Sequence, residues 1–246
     1  MLDLETNLKK YEECVVFLDR VARKYGFYLK EEQIKKEIEF LRLLYVENKK
    51  YNLTSIIKFE DMVYKHIIDS LFILKAIEVE EIDSFMDVGA GAGFPSIPIM
   101  IVKKFKRAVQ IDCSRKRTEF LKLSKQKLKI DVDILCDRAE QASKNPEYRE
   151  KFKIVTARAV SKLNILSELC LPYVEIGGFF VSLKGPEYLE DLKEGETAIR
   201  TLGGLVEKIE NFKIEDNVRN IIVIKKISHT STKYPRSFAK ISKNPI

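Results

Sequence analysis

The residues best suited to chemistry sit in one stretch, FMDVGAGAGFPSIP, from Phe85 to Pro98. A run of strand character leads into Gly89, Gly91 and Gly93, and Phe94 and Pro95 then open a new apolar run. Glycines at the end of a strand let backbone approach a ligand and adopt φ angles that other residues avoid. A dinucleotide turn of the form G-x-G-x-x-G/A would place its third small residue at position 94. This chain has a Phe there, a ring where close helix approach would be needed. Pro95 suits the first turn of the next helix, where a missing N–H is no loss. A second apolar run, AVQIDC, ends at Asp112, whose carboxylate can accept hydrogen bonds from both hydroxyls of a ribose. NAD and S-adenosylmethionine both carry an adenosine ribose, so Asp112 alone does not separate them. The glycine spacing and the end of the chain favour S-adenosylmethionine.

The elements that must hold these residues follow from periodicity. Residues 1 to about 78 read as helices: Ile34, Ile38, Leu41 and Tyr45 recur at helical spacing, and Met62, His66, Asp69 and Ser70 continue one face of a later helix. ENKKYNLTS, between them, reads as a polar connector with Asn and Thr turn chemistry. From residue 85 the pattern changes to short β-rich runs, FMDVG, AVQIDC, VDILC, KIVTARAV and FFVSLKG, each followed by a helical stretch. That alternation implies a parallel sheet with helices on both faces. LVEKIENFKI and NIIVIKKI then follow with only EDNVR between them, too short a link for a parallel crossover, and so predict an antiparallel hairpin. The expected fold is α/β and Rossmann-like, a seven-stranded sheet with a terminal antiparallel hairpin, the layout of class I S-adenosylmethionine-dependent methyltransferases. The expected division is an N-terminal helical region, 1–80, packed on a methyltransferase domain, 81–246.

Composition narrows the setting. The 246 residues are 45% hydrophobic and 33% charged, as in a globular protein. MLDLETNLKK lacks the apolar core of a secretory signal, and no run reaches the roughly 18 apolar residues of a membrane span. The expectation is a cytoplasmic, monomeric protein with no membrane association. Cys14, Cys113, Cys136 and Cys170 are scattered and accompanied by only two histidines, which speaks against a metal site and against a disulfide framework. The net charge of +7 is unevenly placed: residues 103–129 carry eleven basic side chains against Asp112 and Glu119. Clustered positive charge suits a polyanion such as nucleic acid, though from charge alone a solvated lysine-rich surface weighs equally. Within the helix after Asp112, Phe120, Ser124 and Leu128 share one face while Lys122, Lys125 and Lys129 line another.

Longer stretches carry a resemblance. YNLTSI at 51–56, KHIIDSL at 65–71, DVGAGAGFPSIP at 87–98 and DCSRKRTEFL at 112–121 are followed by DRAE at 137–140, TARAV at 156–160, LKG at 183–185 and KYPR at 233–236. In order and content they resemble the RsmG (GidB) family of bacterial 16S rRNA methyltransferases. The resemblance implies methyl transfer from S-adenosylmethionine to N7 of a guanosine in the 530 loop of 16S rRNA, with 16S rRNA or the small ribosomal subunit as partner. It implies cofactor contacts at Gly89 and Phe94 in the glycine turn, with Gly91 between them, at Ala139 and Glu140 facing the adenine end, and at Arg158. RNA contacts are expected at Lys116, Arg117, Lys184 and Arg236.

The chemistry agrees without the family. N7 of guanine has a free lone pair and no proton to lose, so transfer needs alignment and a dry pocket more than a base. TARAV is neither the D/N-PP-Y of amino-group methylation nor the Pro-Cys of cytosine C5 methylation. His66, Asp69 and Ser70 crowd one helix face, where a Ser–His–Asp relay cannot extend. They read as a buried polar cluster steadying the helical region, and Asn52 as a turn residue. Phe94 and Tyr234 are the candidates to stack on the target base.

Overall fold

The computed structural model describes residues 8–77, 83–158 and 161–246. Two helices come first, α1 (Leu8–Lys24) and α2 (Glu31–Tyr51), followed by α3 (Phe59–Met62), which runs through a π-helical segment (Val63–Ile68) into α4 (Asp69–Ala76). The alternating part supplies β1 (Ser84–Val88), α5 (Ser96–Val102), β2 (Arg107–Ile111), α6 (Arg115–Leu128), β3 (Asp133–Leu135), α7 (Ala139–Ala142), β4 (Phe152–Arg158), α8 (Leu163–Cys170), β5 (Val174–Lys184) and α9 (Tyr188–Thr201). β6 (Gly204–Ile214), β7 (Asn217–Lys226) and α10 (Phe238–Lys243) complete the chain.

The seven strands lie in the order β3-β2-β1-β4-β5-β7-β6. β1 to β5 pair in parallel, and β7 runs antiparallel to both β5 and β6. The strand order reverses between β1 and β4, and in open sheets the crevice outside the carboxyl ends of strands at such a point is where ligands bind. Gly89, Asp112 and Arg158 all fall at carboxyl ends of β1, β2 and β4.

Successive strand residues go to opposite faces, as a period of two requires. Phe85, Ile154, Val181 and Val223 join one core cluster; Met86, Val155, Phe180 and Ile222 join the other. The first cluster also takes Leu18, Ile38, Leu41, Leu44 and Leu71 from the N-terminal helices, which therefore roof one face of the sheet. α8 and α9 cover the other face through Leu166, Leu169 and Ala198. Among the described residues no helix is long and apolar enough to cross a membrane.

Three local expectations change. ENKKY is the last stretch of α2, because nothing in it breaks a helix; the stop comes at Asn52, which takes the left-handed conformation at φ 49°. Only NLTS is left as connector, and Asn48 holds it by donating to Thr54 O and accepting from Thr54 N, both at 2.9 Å. The hairpin turn is Glu215–Asp216 alone, since Asn217, Val218 and Arg219 extend β7 to pair with β6. Pro95 sits one position ahead of its expected place, capping α5 at φ −89°.

α2 carries a cost. Glu37 is fully buried, and neither carboxylate oxygen has a hydrogen-bond partner among the described residues. Burial raises its pKa well above the usual carboxylate range, favouring the protonated form. A buried unsatisfied polar group costs about 1–3 kcal/mol. Glu37→Leu should therefore raise the unfolding free energy by about that amount in urea titrations at neutral pH; a loss of stability would show that Glu37 is compensated in solution.

Candidate functional site

The glycine turn is built around one acceptor. Gly89 N and Ala90 N both donate to Ile111 O, at 2.8 and 3.0 Å, so the turn folds over the end of β2. Gly91 N then donates to Asp112 Oδ2 at 3.0 Å, while Oδ1 accepts from Ser114 N at 2.8 Å. Asp112 is thus fixed at both oxygens before any ligand arrives; Oδ2 also accepts from Arg117 Nη1 at 3.4 Å, and Oδ1 keeps acceptor capacity. Gly91 stands at φ 55°, and a Cβ there would touch only Gly89 O, at 3.7 Å. Packing does not exclude a side chain from that spot. Gly93 differs: at φ 87°, a Cβ would collide with Ile97 and crowd Phe40.

In front of this turn lies a cavity of about 480 Å³. Gly89, Gly91, Phe94, Asp112, Ala139, Glu140 and Arg158 all line it. Leu53, Leu169 and Phe238 line it too, and sequence reasoning did not find them. Phe238 is 41% exposed, an aromatic ring on the rim with nothing in its sequence context to mark it. Leu53 lies in the connector after α2, so the helical region contributes directly to the wall.

Arg158 joins that region to the sheet. Its Nη1 donates to Lys65 O at 3.1 Å and Asp69 Oδ2 at 3.3 Å, and its Nη2 lies 3.3 Å from His66 Nδ1. The guanidinium sits over the Phe94 ring at 5.0 Å, and His66 stacks on Phe94 with centroids 4.2 Å apart. Nδ1 also lies 3.2 Å from Lys65 O, and Nε2 lies 3.1 Å from Thr54 Oγ1, so the imidazole has polar partners at both nitrogens. Burial, then the Arg158 charge, lower the His66 pKa to about 3. Asp69 is pushed up by burial and pulled back by Arg158 and Arg219. The His66–Asp69–Ser70 face is the expected buried cluster: Ser70 Oγ donates to His66 O at 2.6 Å, a helix-internal bond with no relay geometry.

Beneath the turn is a second polar group that sequence reasoning missed. Asp87 is buried in β1, accepting from Ser96 Oγ at 2.5 Å and Thr156 Oγ1 at 2.8 Å. Gln110 Nε2 donates to Ser96 Oγ at 2.7 Å, so three parallel strands and α5 are joined through one carboxyl. Burial raises Asp87 to about 6 against the pull of its hydroxyl donors. An Asp inside an apolar strand was the available signal.

The basic residues divide. Lys116 and Arg117 are exposed at the start of α6, and Arg117 also lines the cavity and lies 3.4 Å from Asp112 Oδ2. Lys122 and Lys129 are exposed and Lys125 half-buried, because α6 turns Phe120, Ser124 and Leu128 inward. Lys184 and Arg236 instead have internal partners. Lys184 Nζ reaches Asp191 Oδ2 at 2.6 Å, and Arg236 forms a fork on Glu168, with Nη2 to Oε2 at 2.6 Å and Nε to Oε1 at 2.9 Å. Phe94 is only 5% exposed, with His66 and Arg158 on its ring, so it has no face free for a base. Tyr234 lies outside the cavity, between Lys233 and Arg236. Asn52 is the exposed turn residue expected. Ala159 and Val160 of TARAV lie outside the described residues.

Comparison with known proteins adds a family. Residues 33–222 match the GidB model, described as rRNA small subunit methyltransferase G. The chain is 40% identical over 232 residues to Ribosomal RNA small subunit methyltransferase G of Clostridium kluyveri, covering 93% of this chain and 97% of that protein. It is 38% identical over 237 residues to the protein of the same name from Thermoanaerobacter sp., covering 95% and 99%. Among solved structures it is similar to a Klebsiella pneumoniae protein with a TM-score of 0.59 at 7% identity, over 88% of this chain and 99% of that one. It is similar also to YcgJ from Bacillus subtilis with a TM-score of 0.51 at 12% identity, over 66% and 100%. At such identities the structures speak for the fold alone, the seven-stranded class I methyltransferase sheet.

The geometry of His66 sets a pH dependence. Its folded pKa of about 3 lies below the usual histidine value, so the unfolded chain binds the extra proton and stability falls as pH drops below about 6.5. This linkage should cost the parent about 2 kcal/mol between pH 7 and pH 5. His66→Gln should be less stable at pH 7 but lose about that much less on acidification, measured by urea midpoints at the two pH values. An equal acid loss in both proteins would mean that His66 titrates normally.

Proposed function

The chain belongs to the GidB family of rRNA small subunit methyltransferases, a family of S-adenosylmethionine-dependent enzymes, and from that premise we propose that it methylates N7 of a guanosine in the 530 loop of 16S rRNA. The observation that carries this reading is a cradle ready for an adenosine ribose at the crevice where the strand order reverses. Gly91 leaves room for close approach, and Asp112 presents both oxygens already oriented by backbone N–H groups. Ala139 and Glu140, at the start of α7, face the part of the cavity suited to the adenine. Arg158 closes the opposite end.

When bound, S-adenosylmethionine supplies a methyl group on a positively charged sulfur. The residues here hold, orient and exclude water. The acceptor nitrogen has no proton to shed, so the transfer asks no general base of this site. His66 has polar partners at both nitrogens, Arg158 and Lys65 O at Nδ1 and Thr54 Oγ1 at Nε2, and Asp69 is paired with two guanidinium groups. Positive charge appears on the purine during transfer while the sulfur becomes neutral. The carboxylates of Asp69 and Asp112 near the two cavities suit that redistribution.

RNA approach falls to α6. Lys116 and Arg117 stand where the helix meets the cofactor cavity, and the Lys122–Lys125–Lys129 stripe continues away from it. Lysines in such a row position phosphates and carry no sequence code. Lys184 and Arg236 stand apart from this row, each paired with a carboxylate of its own chain. Arg236 anchors the segment that leads to Phe238 on the cavity rim.

The reading is tested by incubating the protein with tritiated cofactor and small ribosomal subunits, naked rRNA or total protein, then digesting labelled RNA to nucleosides. Label is expected in 7-methylguanosine; label in protein, or in another nucleoside, would overturn the assignment. Asp112→Ala should weaken S-adenosylmethionine binding about ten- to a hundredfold by calorimetry, from the loss of charge-assisted hydrogen bonds worth roughly 1.5–3 kcal/mol each. Unchanged affinity would remove Asp112 from the ribose. Replacing Lys122, Lys125 and Lys129 by Gln should lower the salt slope of RNA binding by about one unit for each phosphate no longer neutralised, with cofactor affinity untouched. An unchanged slope would put the RNA on another face.

A further inference from the structure

A second cavity, of about 570 Å³, opens on the far side of Arg158. Asp69, Lys184, Gly185 and Arg219 line it, and Arg158 is the residue its wall shares with the first cavity. Two features of the second cavity point to a ligand. Asp69 is 4% exposed, and its Oδ1 accepts no aligned hydrogen bond among the described residues although Arg219 Nε lies 3.2 Å away. Buried carboxylate oxygens in native proteins are rarely left so. Gly185, at the end of β5, would meet nothing within 4 Å if it bore a Cβ. Neither packing nor backbone conformation asks for a glycine there, whereas a ligand needing the space would.

We propose that this cavity receives the acceptor nucleoside, with Asp69 accepting from N1–H and the 2-amino group of guanine while Arg158 faces O6. The proposal rests on the guanosine-N7 reading and names its specificity residue. Around guanine the groups follow in the order 2-amino, N1–H, O6, N7. Across the protein the order is Asp69, then Arg158, then the cofactor cavity, so a base held in this way turns N7 toward the methyl donor. Adenine presents an acceptor at N1 and a donor at its 6-amino group, and meets a carboxylate and a guanidinium of the wrong sense. Enzymes that act on an extruded base commonly read it along this edge. Methylation at N7 also makes N1–H more acidic, so its hydrogen bond to Asp69 strengthens as transfer proceeds. Such an interaction favours the transition state over the ground state.

The test compares two rRNA substrates, built by ligation, with guanosine or inosine at the nucleotide the parent methylates. Inosine keeps N7, O6 and N1–H and lacks only the 2-amino group. The parent should favour guanosine by about tenfold in kcat/KM, in keeping with a site built to hydrogen-bond that group. In Asp69→Asn the guanosine rate should fall and the preference shrink to within about twofold. If Asp69 only props Arg158, both RNAs slow alike and the preference survives; that result, or a parent indifferent to inosine, would overturn the proposal. Asp69→Asn also disturbs two arginines, so a second variant stands apart from them. Gly185→Leu should fill the cavity, lowering kcat/KM on guanosine RNA by about thirtyfold or more while the S-adenosylmethionine Kd stays within about twofold. Full activity in Gly185→Leu would place the acceptor elsewhere. If the parent's own product is not 7-methylguanosine, the reaction reading and this proposal fall together, a failure seen without any variant.

Discussion

The Arg158 guanidinium, half-buried at the carboxyl end of β4, is the polar contact that touches the helical region, the ring of Phe94 and both cavities at once. A buried charge persists only where it is paired and hydrogen-bonded. Asp69 supplies the countercharge and Lys65 O a further acceptor, both from the π-helical segment and the start of α4. Burial lowers the Arg158 pKa while Asp69 and Asp87 raise it again. The π-helical stretch at Val63–Ile68 thereby acquires a physical purpose. It brings Lys65 O, the His66 ring and the Asp69 carboxylate toward one side chain of the sheet. The ring of Phe94 packs against both His66 and that guanidinium.

Placement of the turn depends in the same way on groups fixed from below. Asp87 gathers Ser96 from α5 and Thr156 from β4, and Gln110 from β2 reaches the same Ser96 hydroxyl. Gln110 Oε1 has no partner among the described residues, but the bonds these side chains do make favour one arrangement where apolar packing would tolerate several. Asp112 repeats the device one layer higher: its oxygens hold Gly91 and Ser114 in place and also face the cavity. The site is therefore preorganised by its own backbone. A methyl transfer that needs alignment and no base is the chemistry best served by that arrangement.

Much of this was legible in the sequence because the signals are local. Glycine spacing, an acid at the end of the next strand and the change from helical to alternating periodicity each span a few residues, and each appears where expected. What was hidden depends on partners far along the chain. Lys184 and Arg236 look like any other basic residues until Asp191 and Glu168 are seen beside them. Phe94 looks available for stacking until α2 and the π-helical segment bring Phe40 and His66 against it. Polar residues at the end of α2 resemble a connector, since the exposed face of a helix has the same composition as a loop. Phe238 reaches the cavity only because Arg236 is pinned to α8, a consequence of tertiary packing that no local pattern records.

Arg158 acts here as a fork and not merely as a positive charge, and thermal unfolding of Arg158→Lys with and without S-adenosylmethionine tests that most directly. Lysine keeps the charge but cannot bond Lys65 O, Asp69 and His66 together. The predicted result is a lower midpoint without ligand and a ligand-induced upward shift much smaller than the parent's, because the guanidinium ties the helical roof to the wall of the cofactor cavity. A variant that melts with the parent and is stabilised by the cofactor as strongly would contradict the claim that this fork couples them.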